Sequence, residues 1–120
     1  MRTNVYLVLC FCLTALPGLT RSRADGTYIA TAYSTPGVTA SGEYTHERVA
    51  AADPGVIPLG SIIRISGAGR YSGEYVVADT GPKIQGRKLD LFIPSTAAAR
   101  QFGKRRVRVE ILELSTSARK

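Results

Sequence analysis

Two aspartates in strand-like apolar sequence are the residues of this chain best suited to chemistry. Asp79 ends an apolar run, and Asp90 stands between two leucines. A carboxylate in such a run is costly unless it is paired or used. The chain has one histidine, His46, and its two cysteines are both near the N-terminus. Any catalysis is therefore predicted to depend on aspartate.

A protonated carboxyl group of this kind can donate a proton to the leaving oxygen of a glycosidic bond. It stays protonated near neutral pH only if desolvation or a nearby like charge raises its pKa. Strand alternation puts Asp90 on the face opposite its two leucine neighbours, so it is predicted to face a groove. Asp79 either bonds turn amides or acts as its partner. Asp53, before Pro54 and Gly55, is favoured as a turn-former; the alternative is a functional role, in which it would bind substrate or support the other two.

The first 24 residues are predicted to be a signal peptide. Met1-Arg2 supplies a positive start, residues 5–16 are almost wholly apolar, and small residues precede a cut after Ala24. The apolar run is short for a membrane span, which needs ~20 residues. Cleavage removes Cys10 and Cys12, which excludes disulfides and a cysteine nucleophile in the mature chain. We therefore expect a secreted, periplasmic or cell-wall-associated protein without stable membrane insertion.

The remaining residues, 25–120, are enough for one compact domain. This part carries 13 of the 16 Lys and Arg residues and all 9 acidic residues, a formal charge of +4. An exported basic domain is drawn to polyanions such as those of the cell wall. Nucleic acid is not expected, because the basic residues are not interleaved with aromatics. A solvated positive face that keeps the domain soluble is an equally good interpretation.

Short strands dominate the pattern and predict an all-β fold. Turn residues separate the apolar runs, and an Ala-rich segment between Ser95 and Gly103 predicts one short helix. The predicted strands span 27–33, 49–52, 61–66, 73–78, 88–93 and 106–114. Six short strands in so small a domain favour a closed barrel, which leaves no exposed sheet edge.

Five motifs, in this order and spacing, resemble the three-aspartate (3D) domain. They are Thr39-Ala40-Ser41-Gly42, residues 49–60, Ala78-Asp79-Thr80-Gly81, residues 86–92 and residues 102–109. That family is similar to the catalytic domain of membrane-bound lytic transglycosylase A. The resemblance implies a six-stranded double-psi β-barrel with one short helix.

The resemblance also assigns roles to the three namesake aspartates, Asp53, Asp79 and Asp90. It implies that Asp90 protonates the bond between N-acetylmuramic acid and N-acetylglucosamine in peptidoglycan, then takes a proton from the muramic C6 hydroxyl. Asp79 would orient or perturb it, and neither a metal nor a cofactor is required. Pro82-Lys83 departs from the family's usual Gly-Ala, and the Gly81-Pro82 pair resembles instead the related barrel of rare lipoprotein A and the expansins.

Further polar residues are candidates for binding the glycan strand. Tyrosines can stack on sugar rings or pack at the barrel rim, hydroxyl residues can bond sugars or build turns, and basic residues can meet carboxylates. The candidates are Tyr33, Thr39, Ser41, Tyr44, Asp53, Thr80, Gly81, Lys83, Arg87 and Lys88. His46 is predicted to be exposed rather than metal-bound.

Two other classes of function remain open. One is a non-catalytic, expansin-like wall-binding module, which is supported by the Gly81-Pro82 pair and by the small size of the domain. The other is an inhibitor or interaction domain on a disabled barrel, which predicts tight binding to a protein partner. The presence of all three aspartates favours the enzyme.

Overall fold

The computed structural model describes residues 23–42 and 44–115. These residues form six strands, one α-helix and a single 3-10 turn at Gly69–Tyr71. The strands are β1 (Gly26–Tyr33), β2 (Val49–Ala52), β3 (Ile62–Ser66), β4 (Gly73–Asp79), β5 (Lys88–Phe92) and β6 (Arg105–Glu113), and the helix is α1 (Thr96–Phe102).

The strands close into a barrel in the order β1-β5-β2-β4-β3-β6, and β6 returns to β1. The pairs β1/β5 and β2/β4 are parallel, and the other four pairs are antiparallel. Closure leaves no free edge, which explains how strands of four to nine residues form a stable sheet. The order also places β5, which carries Asp90, between β1 and β2.

Alternate residues of each strand fill the barrel. In β6, Val107 and Val109 are buried while Arg106 and Arg108 are exposed, and in β5 Leu89 and Leu91 are buried in the same core. The period of two therefore sorts each strand into an inner apolar face and an outer face. A second, smaller apolar cluster on the outer face contains Val49, Ala78 and Phe92, with Tyr33 and Val76 packed against it.

Helix α1 begins and ends where the sequence predicts. The Ser95 hydroxyl accepts a hydrogen bond from the Ala98 amide at 3.1 Å, which caps the first turn. Gly103 ends the helix with a φ of +63°, a conformation that favours glycine. Ala99 and Phe102 are buried in the core cluster, so the helix closes part of the barrel's interior.

The predicted fold class is confirmed: a mainly β chain forms a closed six-stranded barrel with one short helix. Each strand lies within one or two residues of its predicted range, and the 3-10 turn was not predicted. The proposed signal peptide falls almost wholly on residues 1–22, outside the described residues, and its boundary stays a prediction. Within the described ranges, no helix is long and apolar enough to cross a membrane.

Candidate active site

Asp79 and Asp90 lie on either side of one alanine. In the barrel, Ala51 of β2 pairs with Asp79 of β4 and with Asp90 of β5. Ala50 and Ala52 belong to the core, so Ala51 has the opposite, outward orientation. Two strand spacings separate the two aspartate backbones by about 9–10 Å. The smallest chiral side chain therefore lies between the two aspartates, where it is buried.

Asp90 is half-buried on the outer face, opposite the buried leucines, as the alternation predicts. The Thr31 hydroxyl, on the neighbouring strand, donates a hydrogen bond to its Oδ1 at 2.9 Å. Burial raises the pKa of Asp90, the Thr31 hydrogen bond opposes that rise, and the negative charge of Asp79 adds to it. Asp90 thus has the environment of a carboxyl group that tends to hold its proton.

A cavity of about 300 Å³ adjoins Asp90 and forms what we call the Asp90 pocket. Its floor and walls include Thr31, Leu89 and the side chains of Ile29 and Ile84. Three lysines, Lys83, Lys88 and Lys104, also line it. The size is at the lower end for small-molecule sites, and the mixture of apolar walls and convergent polar groups is typical of them.

Asp79 ties a long loop to the barrel. Its Oδ1 accepts hydrogen bonds from the amide of Ala40 at 3.0 Å and from that of Thr80 at 2.9 Å. The Ser41 amide also donates to the Ala78 carbonyl at 3.0 Å. The carboxylate therefore bonds turn amides, as one of the two predicted roles requires, and it remains close enough to Asp90 to raise its pKa.

Tyr33 completes this group. Its ring packs edge-on against Phe92, with centroids 5.4 Å apart, which is the packing alternative foreseen for it. Its buried hydroxyl has no hydrogen-bond partner among the described residues. Burial, followed by the charges of Asp79 and Asp90, raises the pKa of Tyr33 to about 12. The hydroxyl is therefore a neutral, unused donor near both carboxylates.

Asp53 lies in a turn and holds a second loop. Its Oδ1 accepts the Gly55 amide at 2.9 Å, and its Oδ2 accepts the Gly86 amide at 2.8 Å. These two backbone hydrogen bonds hold the pKa of Asp53 below its usual range, and the bond from Gly86 has the larger effect. The favoured interpretation as a turn-former agrees with this geometry. The bond to Gly86 also fixes the approach to β5, the strand that carries Asp90.

The other predicted binding residues divide between the pocket and the turns. Lys83 and Lys88 line the Asp90 pocket. Thr39 is buried and shares a 3.0 Å hydrogen bond with the Ser41 hydroxyl, so this pair builds its turn. The Gly81 carbonyl accepts the Ile84 amide at 3.0 Å, and this turn leads into the pocket wall.

Arg87, in contrast, is committed elsewhere. Its guanidinium donates to the carbonyls of Asp25 and Arg23 at 2.9 and 2.8 Å and lies over the Tyr28 ring. It does not line the Asp90 pocket. Among the aromatic and histidine candidates, Tyr44 is 62% exposed on the long loop, and His46 is exposed as predicted.

Three residues of the site were not predicted: Thr31, Ala51 and Lys104. Thr31 and Ala51 meet Asp90 only through strand pairing between distant parts of the chain. Lys104 reaches the pocket because α1 returns the chain to the start of β6. A period-two pattern identifies the outward face of a strand but not its neighbours, so local sequence carried no signal for these contacts.

A metal site is not evident in the part of the chain that the structure describes. No group of three or more His, Cys, Asp or Glu side chains there is arranged to hold a metal ion.

Comparison with known proteins identifies the family. Residues 48–113, more than half of the chain, match the 3D domain. The chain is 41% identical over 95 residues to the cell wall-binding protein YocH of Bacillus subtilis, covering 72% of this chain and 32% of that protein. It is 33% identical over 99 residues to the SPbeta prophage-derived uncharacterized protein YorM of the same organism, covering 82% and 36%. The chain thus spans about a third of the length of these relatives.

Solved structures share the fold at low sequence identity. A crystal structure of Escherichia coli MltA with bound chitohexaose superposes with a TM-score of 0.57 at 22% identity, covering 68% of this chain and 29% of that one. Another crystal structure of MltA from E. coli gives a TM-score of 0.55 at 20% identity, with 68% and 28% covered. Together with the closed barrel and the match over residues 48–113, these findings establish that the chain belongs to the 3D domain family.

Proposed function

We propose that this chain is an exported cell-wall enzyme that cleaves the glycan strand of peptidoglycan as a lytic transglycosylase. Asp90 would act as the acid and then the base, and Asp79 would perturb it. The bond cleaved is the β-1,4 bond from N-acetylmuramic acid to N-acetylglucosamine, and the product carries a 1,6-anhydromuramic end. The name of the relative YocH and the fold shared with MltA, crystallised with chitohexaose, support a glycan of the wall as the substrate.

The observation that carries the proposal is the environment of Asp90. A half-buried carboxyl group with a raised pKa borders a pocket large enough for a sugar ring. Thr31 occupies one carboxyl oxygen, so the other is available to carry the proton. One acid in such a setting suits a reaction that uses the same group twice.

The reaction has two proton transfers. Asp90 gives its proton to the glycosidic oxygen as the bond from that oxygen to muramic C1 breaks. The positive charge that develops at C1 is stabilised by nearby carboxylates, including Asp79. The C6 hydroxyl oxygen then bonds to C1 while its proton passes to the Asp90 carboxylate. The acid is restored, and no water molecule is consumed.

Residues around the two aspartates would bind the strand. Lys83, Lys88 and Lys104 can meet the lactyl or peptide carboxylates that peptidoglycan carries. The long loop held by Asp79 presents Val38 and Tyr44, which are 72% and 62% exposed, to a sugar face.

The decisive experiment is digestion of insoluble peptidoglycan by wild type and by Asp90→Asn. Wild type should release soluble fragments with anhydromuramic ends, detected by mass spectrometry. Because a general acid contributes about 10²–10⁴-fold, Asp90→Asn should be slower by at least about 100-fold. An Asp90→Asn protein with full muralytic activity would rule the assignment out, and reducing ends without anhydro rings would indicate a hydrolase.

A second candidate is a wall-binding module without catalysis. The exposed apolar pair on the loop favours it, as does the cell wall-binding name of the relative YocH. It predicts sedimentation with insoluble peptidoglycan, no release of soluble fragments and equal binding by wild type and Asp90→Asn. Measuring binding and release on the same sample separates the two candidates.

A further inference from the structure

A line of cationic side chains crosses the outer face of the barrel from the Asp90 pocket. We call Lys88, Lys104, Arg106 and Arg108 the basic strip. All four are exposed. In β6 the buried Val107 alternates with the two arginines, so both arginines are on the outer face.

Strand register makes the strip continuous. Ile29 of β1 pairs with Lys88 on one side and with Arg106 on the other. Lys88 and Arg106 are therefore two strand spacings apart, about 9–10 Å at the backbone, and Arg106 and Arg108 are roughly 6.6 Å apart along β6. Lys104 shares the Asp90 pocket with Lys88. The charges follow a line rather than a cluster around one point.

The two arginines of the strip have no structural task among the described residues. Arg48, Arg87 and Arg105 donate to backbone carbonyls elsewhere in the barrel. Arg64 forms ion pairs with Glu74 and Glu110 at 3.3 and 3.4 Å. Within residues 23–42 and 44–115, Arg106 and Arg108 form no comparable hydrogen bond or ion pair. Their charges are directed to solvent and are free to meet an anion.

A shallow depression of about 290 Å³ lies between these arginines. Thr27 of β1 and Ser66 of β3 both pair with Arg108, so a hydroxyl group lies on each side of it. Gly67, with a φ of +85°, adds no side chain to the depression. Guanidinium groups beside hydroxyl donors are suited to phosphate, which accepts several hydrogen bonds and matches the planar arginine fork.

We propose that the basic strip binds a linear phosphodiester polymer of the kind attached to bacterial cell walls. A line of uncommitted cations fits a chain of evenly spaced anions better than a single ligand. The strip has no aromatic side chain on which a nucleic acid base could stack. The biological setting rests on the proposed wall function. Lys88 and Lys104 also line the Asp90 pocket, whereas Arg106 and Arg108 lie outside it, so the two arginines are the residues that test the strip separately from the cleavage site.

Binding of the full chain to poly(glycerol phosphate), measured calorimetrically at several salt concentrations, tests this proposal. The affinity should fall linearly with salt on logarithmic axes, because each contact releases a counterion. Arg106→Gln/Arg108→Gln should weaken binding at least about tenfold near 50 mM salt and reduce the salt slope by about one per arginine.

The matched control compares single variants that remove the same charge. Arg108→Gln should weaken binding, whereas Arg64→Gln should change it less than about twofold, because Glu74 and Glu110 already neutralise Arg64. Equal losses in both variants would mean that only net charge matters and would overturn the proposal. Single-stranded poly(dT) bound as tightly as poly(glycerol phosphate) would overturn it in favour of a nucleic acid site.

Failure of this proposal is distinguishable from failure of the proposed enzyme. Asp90→Asn should lose cleavage and keep polymer binding. Arg106→Gln/Arg108→Gln should keep the cleavage of peptidoglycan from which the phosphate polymers have been extracted. If the double variant binds the polymer as tightly as wild type, the proposed polymer binding by the basic strip is refuted, whatever the muralytic activity of the variant.

Discussion

At the scale of single residues, the site depends on two carboxyl groups with different surroundings. Asp90 has one side-chain donor, Thr31, and a raised pKa, whereas Asp79 accepts two backbone amides on one oxygen. Burial thus favours the protonated form of Asp90, whereas backbone hydrogen bonds hold Asp79 in place. This difference in surroundings is the basis for proposing unequal roles for two like residues.

The first prediction concerns the pH dependence of cleavage. The proposed reaction needs Asp90 protonated, so the rate should fall as the pH rises through the Asp90 pKa. Asp79→Asn removes the negative charge that raises this pKa, so the falling limb should move to lower pH. The amide oxygen of asparagine can still accept the Ala40 and Thr80 amides, which preserves the loop. The measurement is kcat/KM against pH for both proteins.

Thr31→Val provides the opposite control for this prediction. It removes a hydrogen bond that lowers the Asp90 pKa, so the same limb should move to higher pH. Movement of both variants in one direction would contradict the assignment of Asp90 as the acid.

A second prediction follows from the cost of burying Asp90. Its pKa is raised in the folded protein, so its ionised form destabilises the fold, and this cost disappears as the pH falls through the folded pKa. Asp90→Asn should therefore melt at the same or a higher temperature than wild type at neutral pH, although it is inactive. Thermal denaturation at pH 7 tests this, and a clear loss of stability would instead indicate a structural role for Asp90.

At the scale of elements, β2 is the strand that makes the site possible. It has only four residues, lies between β4 and β5, and presents Ala51 between the two aspartates. Asp53, the first residue of the turn that follows, comes directly after β2 in the chain. A short strand of small residues thus sets both the spacing of the carboxylates and the turn that supports β5.

The third prediction tests the small size of the side chain at position 51. Ala51→Leu places a larger side chain between Asp79 and Asp90, and it should reduce cleavage at least about tenfold while the protein stays folded by circular dichroism. Overpacking costs about 1–3 kcal/mol, so some loss of stability is expected. Ala97→Leu on the exposed face of α1 is the control and should leave cleavage unchanged. Full activity in Ala51→Leu would show that the substrate does not approach β2.

The fourth prediction concerns Asp53 as the link between two loops. Asp53→Asn can keep the bond to Gly55 but loses an acceptor for Gly86, so it should melt at a lower temperature at neutral pH. Folding lowers the pKa of Asp53, so the ionised carboxylate stabilises the folded protein. This stabilisation is present above the ordinary carboxyl pKa and disappears as the pH falls through the lower pKa of the folded state. The difference in melting temperature between wild type and variant should therefore shrink in acid. A difference that is constant with pH would disprove this account.

At the scale of the whole molecule, the segment before β1 is part of the barrel's packing. Ala24 is 7% exposed within the core cluster, and its carbonyl accepts the Tyr28 hydroxyl at 2.6 Å. Arg87 binds the carbonyls of Arg23 and Asp25. The predicted signal cleavage after Ala24 would remove two of these three acceptors.

The fifth prediction is that a chain beginning at Asp25 is less stable than one beginning at Arg21. Loss of the acceptor for a buried hydroxyl costs about 1–3 kcal/mol, which lowers the melting temperature of a domain this small by roughly 5–15 °C. Tyr28→Phe should lower the melting temperature of the longer chain but not of the shorter one, because the interaction is already absent there. Equal melting temperatures for the two chains would contradict the prediction. Sequencing the N-terminus of the protein isolated from its natural host would show which form exists.

The sequence by itself determined the elements and the residues capable of chemistry. Alternation of apolar residues is local, so it revealed the six strands and the outward direction of Asp90. Capping preferences are local too, and Ser95 and Gly103 revealed the ends of α1. Turn preferences, which are also local, revealed that Asp53 would bond amides near it. The family's motifs lie in short continuous segments, which is why they were readable without a structure.

Only the tertiary structure decided which residues meet. The order β1-β5-β2-β4-β3-β6 joins strands far apart in the chain, and it alone places Thr31 beside Asp90 and Ala51 between the aspartates. It also turned Arg87 towards the N-terminal segment and brought Lys104 into the pocket. Such contacts depend on which strands pair. Strand pairing is determined by burial of the whole core and not by any local sequence pattern. The carboxyl groups on which the proposed chemistry depends could therefore be identified from the sequence, and the surroundings of Asp90 could not.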